Sequence, residues 1–465
     1  LEQEALKITN NPYIDSCGMI PTLPAPGCDD PCNPGPGCPL PPPECGGGSG
    51  ETLDKKKPAG KITVWDSNLG MEVPVKRTRV VARRWFKIDV VYTNDQGEFK
   101  CNKRFVNKVN ILVKFLNNNI TIHGLRTPRL WQMWFPIKKG IGIYSGNLSN
   151  ISYRFNQNTL EPHSRTNRNW WAAQTMNSQV EFNEMAAANN IGGLPSFLRI
   201  LLTGWANARG AGSAPMNGHR NPQIVPPLWI NYFVLNPAHT GFASTLNWLY
   251  NGILIRKTDM TIGYDKNLQS DQVKSLIYHE MAHAAHYNKV GDNWWNELVN
   301  AETYEITRFG LNGAQSPYGI GDDGEMSGRI ALAESWAEHI GRVMTDTKYG
   351  TTSSAQYNQG EFYENNSPVI GLSSHLNLLE DFSPNRVSDP FRWIPYGVYY
   401  DLMDSRNDYN FNAILPIDNV SGYSSQKCFN ALDNDVKTIP EFKTRFLSES
   451  GFNQAVVDLF FEYHY

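Results

Sequence analysis

The segment Ser275-Leu-Ile-Tyr-His279-Glu280-Met-Ala-His283-Ala-Ala-His286 sets two histidines four residues apart in a stretch whose apolar residues recur at helical spacing. Residues four apart lie one turn above each other on one helix face, so both rings can point a nitrogen at a single tetrahedral ion. Glu280, beside the first histidine, can lean over that ion and take a proton from a bound water. The pattern reads as a zinc site, and it constrains the fold, because a second element must face this helix and complete the ligand set. Ser270 and Asp271 supply a helix-start signal, Lys289 and Gly291 a stop, and Ala282, Ala284 and Ala285 permit close packing.

A catalytic zinc usually keeps three side chains and one position for water, so a third ligand is required. The best candidate is Glu334, in the apolar helical stretch Ile330-Ala-Leu-Ala-Glu334-Ser-Trp-Ala-Glu338-His-Ile-Gly341. Glu334 and Glu338 share a face at i and i+4 and would repel unless a cation or a donor stood between them. Glu334 is therefore read as the ligand. Glu338 is read as the acceptor for the far nitrogen of a ligating histidine, fixing its tautomer. Glu302 and Glu305 lie nearer His283 in sequence, but their flanks lack the paired-acid pattern. His286 is read as support for the site or as packing, and His339 as pointing away from the ligand face.

The pattern His279-Glu280-x-x-His283, followed by a helical Glu334-x-x-x-Glu338-x-x-Gly341, resembles the gluzincin metallopeptidases, the thermolysin-like class. In that family the second helix carries the third ligand, then an acidic residue four positions on, usually Asp where this chain has Glu338. The resemblance implies a zincin-like catalytic domain that hydrolyses peptide bonds in a protein or peptide substrate. Zn2+ would be held by His279, His283 and Glu334, with Glu280 as general base. A neutral Tyr or His would stabilise the developing oxyanion, and Tyr399, Tyr400 and His375 are the candidates.

Composition limits the alternatives. With 465 residues, 40% of them hydrophobic and 12% aromatic, the chain can fill more than one core. A net charge of −3 argues against nucleic acid as a partner. No apolar run approaches the roughly 18 residues of a transmembrane segment. Five of seven cysteines (Cys17, Cys28, Cys32, Cys38 and Cys45) crowd into the first 45 residues among Pro and Gly, which suggests disulfides in an oxidising space. Residues 1–55 thus read as a Cys/Pro/Gly-rich tether that holds an extracytoplasmic protein, secreted or anchored at the cell surface.

Residues 56–126 switch to short β-branched and aromatic runs, including Ile62-Thr-Val-Trp65, Arg79-Val-Val-Ala-Arg83 and Ile120-Thr-Ile122, with a turn signal at Asn94-Asp-Gln-Gly97. This is the pattern of a small antiparallel β-sandwich. Pro74-Val75 leading into Arg79-Val-Val-Ala, then Thr93-Asn-Asp-Gln-Gly97-Glu-Phe99, resembles the carboxypeptidase regulatory-like, transthyretin-like accessory domain. Residues 127–465 are expected to form the mainly helical α+β zincin-like domain, making the fold multidomain. Helices are expected over residues 169–188 and 195–206, and residues 259–263 are expected to be an edge strand above the site. A rival reading is a non-catalytic surface binding or adhesion protein on the same scaffold. Glu280 speaks against it, since a structural zinc needs no base.

Overall fold

The computed structural model describes residues 54–125, 135–204, 212–220, 258–264, 267–309, 318–350, 374–380, 382, 384, 393–405 and 417–465. Residues 1–53 of the tether with its five cysteines, residues 205–206 of the second expected helix and residue 126 lie outside the described residues. The architecture is mixed sheets followed by a mainly helical C-terminal part. No described helix is long and apolar enough to cross a membrane.

Two four-stranded sheets come first. In one, β1 (Ala59–Asp66) pairs antiparallel with β2 (Met71–Pro74) and β5 (Glu98–Lys100) along one edge. Its other edge takes β9 (Ile151–Phe155), which runs parallel to it. The second sheet has the order β4 (Lys87–Tyr92), β3 (Arg79–Arg84), β6 (Val109–Lys114), β8 (Lys138–Tyr144), all antiparallel, with a register shift at Ile111 and Leu112. Alternation sets the faces: Val109, Ile111 and Val113 of β6 are buried while Asn110 is exposed. Inward residues of both sheets join one apolar cluster with Phe99, Phe105 and Phe115.

The third sheet divides the chain differently from the boundary expected at 126. Its order is β11 (Gly212–Ser213), β12 (Met260–Gly263), β10 (Leu198–Thr203), β7 (Ile120–Leu125). Strand β7, which falls among the strands assigned to the sandwich, instead pairs in parallel with β10. Strands β8 and β9, from the stretch expected to be helical, complete the first two sheets. Alternation is satisfied by any half-buried sheet, so local pattern does not reveal the partner. The sandwich is also not purely antiparallel, because β9 joins it after a long connection. Residues 198–203, expected within a helix, form β10, buried between two parallel neighbours. Such a strand reads as a continuous apolar run, which periodicity alone cannot separate from a buried helix.

Three long helices follow from strong local signals. Helix α1 (Arg165–Ala188) starts at Ser164, whose hydroxyl accepts from the Asn167 amide at 3.1 Å. Helix α2 (Ser270–Phe309) carries the His-Glu-x-x-His segment; Gly291, at φ 79°, kinks it where a stop was expected. Helix α3 (Glu325–Tyr349) lies along α2 in the opposite sense: Gly341 approaches Ser275, Glu338 meets His279 and Glu334 meets His283. A Cβ on Gly341 would stand 3.1 Å from Ser275 O and 3.2 Å from His279 Cβ, so its absence permits the close approach. Shorter helices α4 (Ser374–Glu380), α5 (Val398–Asp401), α6 (Ser425–Ala431), α7 (Ile439–Ser450) and α8 (Gln454–Glu462) cover this pair and bury Phe429, Phe442, Phe446 and Phe460.

Candidate metal centre

The centre lies between α2 and α3. His279 Nε2 and His283 Nε2 are 3.1 Å apart, His279 Nε2 is 3.4 Å from Glu334 Oε2, and His283 Nε2 is 3.3 Å from Glu334 Oε1. Donors around a tetrahedral zinc with bonds of about 2.0–2.1 Å are about 3.3 Å from one another, so these three atoms outline one face of such a tetrahedron. Two imine nitrogens this close repel unless a proton or a cation lies between them. The three residues are thus a group able to hold a metal ion, and their donor set fits zinc.

Helix geometry and burial hold the triad in place. His283 and Glu334 are buried, and His279 is nearly so. Glu338 Oε2 accepts from His279 Nδ1 at 3.0 Å, which leaves Nε2 of that ring as the free donor atom. Burial opposes charge on Glu338, but Arg342 and His279 outweigh it and hold the carboxyl down at about 2. Burial also opposes charge on Glu334, and His283 and His279 outweigh it there too, keeping the carboxyl well below its ordinary range.

Glu280 faces a cavity lined by Gly212, Ser213, Trp295, Glu302, Tyr318 and the triad, among others. Its Oε2 is buried with no hydrogen-bond partner among the described residues. Burial pushes the carboxyl up to about 8, His279 pulls against that, and Glu334 and Glu302 add to the rise. A Cβ on Gly212 would sit 2.3 Å from Glu280 Oε1, so only glycine lets the β11 backbone pass this close. Trp295 Nε1 donates to Ala214 O at 2.9 Å, and Arg220 Nη1 to Asn296 Oδ1 at 2.5 Å, fastening the segment after β11 to the kinked half of α2. The strand beside the site is therefore β11, not residues 259–263, of which 260–263 form β12, an inner strand of that sheet.

The expected oxyanion donors lie elsewhere. His375 pairs with Asp271 at 3.1 Å, Tyr399 is buried against Trp336, His339 and Phe442, and Tyr400 belongs to α5; none of the three lines the cavity. Tyr318 does line it. Burial, reinforced by Glu334, raises its phenol well above the ordinary value, so it stays a neutral donor. Nothing near Tyr318 in the sequence marks it, whereas Gly210-Ala-Gly212 carries the usual sign of close backbone approach. Glu302 lines the cavity without joining the triad, and Glu305 lies 3.3 Å from Arg308. His286 packs against Trp294 and Trp295, and burial lowers it to about 3, leaving a neutral ring.

No family model matches the chain, and no curated protein matches it. Among solved structures, a 9R-lipoxygenase from Cyanothece PCC8801 aligns with 75% of this chain at 9% identity and a TM-score of 0.14. The chain spans 61% of that protein's length, and a superposition so loose carries no argument about fold or chemistry.

Proposed function

We propose that this protein is a zinc-dependent metallopeptidase of gluzincin type. The observation that carries the reading is the triangle of His279, His283 and Glu334 donor atoms, 3.1–3.4 Å on a side, with Glu280 beside it, its Oε2 buried and without a hydrogen-bond partner among the described residues. A zinc ion bound there supplies Lewis-acid polarisation of a carbonyl and of water. Glu280 takes a proton at Oε2 from the water that adds to the scissile carbonyl and passes it to the amine that leaves as the C–N bond breaks. The Tyr318 hydroxyl donates to the substrate's carbonyl oxygen as charge develops on it. Trp295, Leu298 and Val299 exclude water from the cavity wall.

An extended polypeptide is the substrate this site fits. Among the described residues, β11 is the last strand of its sheet, and its outer backbone edge can pair with a peptide laid across the cavity. The extracytoplasmic setting and surface tether inferred from residues 1–55 are part of the same proposal and rest on composition.

Metal analysis of the purified chain should give about one zinc per molecule, reduced to a trace by Glu334→Ala. Glu280→Gln should keep the zinc and abolish cleavage of a mixture of unfolded and glycosylated proteins. Equal behaviour of wild type and Glu280→Gln across that mixture would overturn the peptidase and favour a non-catalytic surface-binding protein. A chain that takes up no zinc would remove the basis of both readings.

A further inference from the structure

The tip of the β3–β4 hairpin is built against the usual rules for a soluble turn. Arg84 pairs with Lys87, so Trp85 and Phe86 are the two loop residues, and they are 79% and 99% exposed. Trp85 has a φ of 51°, in the left-handed region, at a loop position that ordinarily goes to Gly or Asn because a bulky side chain is strained there. The fold thus gives up both stability and apolar burial to hold two aromatic rings in water.

The surroundings are predominantly basic, and the nearby Asp89 is buried, accepting from the Lys103 amide at 2.7 Å. Residues 102–108 lead into β6 at the same end of the sheet, because Arg83 pairs with Asn110. Lys103 Nζ donates to Ile88 O at 2.8 Å, and the Lys87 ammonium stands over the Phe105 ring. Residues 83–88 and 102–108 hold Arg83, Arg84, Lys87, Lys103, Arg104 and Lys108 and no acidic residue, on a chain whose net charge is −3. Within this group, Arg104 is paired with Asp54 at 3.0 Å.

We propose that this tip is a membrane-docking site, with Trp85 and Phe86 entering the interfacial layer of a bilayer and the surrounding Arg and Lys contacting anionic headgroups. A convex pair of rings matches a soft apolar phase, whereas a flat aromatic platform in a groove is what would receive a sugar ring or a base. Trp at the headgroup level with cations around it is the arrangement that gains from both apolar transfer and the negative surface potential. The site would bring the protein to a lipid surface whether or not the metal centre is catalytic.

The test is co-sedimentation of the full chain with vesicles of phosphatidylcholine alone and of equal parts phosphatidylcholine and phosphatidylglycerol. Binding is expected to the mixed vesicles, weakening as salt rises. Trp85→Gly and Phe86→Ser should each lower partitioning about tenfold. Trp85→Gly should at the same time leave the melting temperature unchanged or raised, since glycine relieves the left-handed strain, and this separates lost docking from lost folding. Absence of binding to the mixed vesicles, or binding that both variants retain in full, overturns the proposal. So does retention on a soluble polyanion such as heparin, sensitive to the cations but not to the aromatic residues, without vesicle binding.

Discussion

His279 Nδ1 lies 3.0 Å from Glu338 Oε2, and the other oxygen of that carboxylate, Oε1, lies 2.6 Å from Arg342 Nε. The relay runs from a guanidinium through a carboxylate to an imidazole, and it orients the ring so that Nε2 faces Glu334. Removing the middle member frees the ring to rotate and to change tautomer. Glu338→Ala should weaken zinc binding roughly ten- to a hundredfold, read by competition with a chelator of known affinity. Glu338→Gln keeps an acceptor for the Nδ1 proton and should fall between the two. Unchanged zinc affinity in Glu338→Ala would show that the ring is held by packing alone.

Tyr318 is the phenol that lines the cavity with the triad and Glu280. Tyr318→Phe should lower kcat by about a hundredfold while zinc content and KM stay close to wild type, because the hydroxyl matters most once charge has developed on the carbonyl oxygen. Steady-state kinetics on a peptide substrate measures this directly. A rise in KM with kcat unchanged would place Tyr318 in substrate binding instead.

Gly212 leaves no room for a side chain against Glu280. Gly212→Ala should displace the carboxylate by enough to cost about a hundredfold in kcat, with zinc retained and the melting temperature little changed. Because the substitution lies on β11 and not on either ligand helix, loss of zinc in this variant would contradict the placement.

A partly buried ionic cluster holds the helices behind the site. Lys274 Nζ is 2.5 Å from Glu181 Oε2, Lys348 Nζ is 2.7 Å from Glu181 Oε1, and Tyr278 donates to the same carboxylate, so one residue of α1 binds α2 and α3 together. Burial disfavours the charged carboxylate, but the two lysines overcome it and hold Glu181 far below its ordinary 4.5. In acid the unfolded chain therefore binds a proton there that the folded chain does not, and this contribution to stability is present above about pH 4.5 and is lost as pH falls below it. Glu181→Gln should cost about 3 kcal/mol at neutral pH in urea unfolding and flatten the acid limb of the stability profile. A variant as stable as wild type at pH 7 would refute the clamp.

The His-Glu-x-x-His helix and the paired acids of the second helix were readable because both are local patterns: i, i+4 spacing determines which side chains share a face whatever surrounds the helix. Helix α1 was readable for the same reason. The strands were readable as strands, but not their partners. The pairing of Ile120-Thr-Ile122 with β10, and of β9 with β1, depends on segments far away in the chain that offer equally suitable edges. Leu198–Thr203 defeated periodicity because nearly all of it is buried, on both faces. Tyr318 could not be chosen from among the chain's 21 tyrosines, since what distinguishes it is proximity to Glu334 and not anything in its neighbours along the chain.

The amino-acid sequence alone determined which side chains point together from each helix, because that follows from the pitch of a hydrogen-bonded backbone. Only the tertiary structure decided that α3 lies antiparallel to α2 with Glu334 facing the two imidazoles, and that β11 brings Gly212 against Glu280. It also capped the start of α2 from an unrelated place: the Ser270 and Asp271 amides donate to Ser67 Oγ and Asn68 Oδ1, each at 2.9 Å, in the turn between β1 and β2. Contacts between segments two hundred residues apart are chosen by the packing of the whole chain, and no window of the sequence contains both partners.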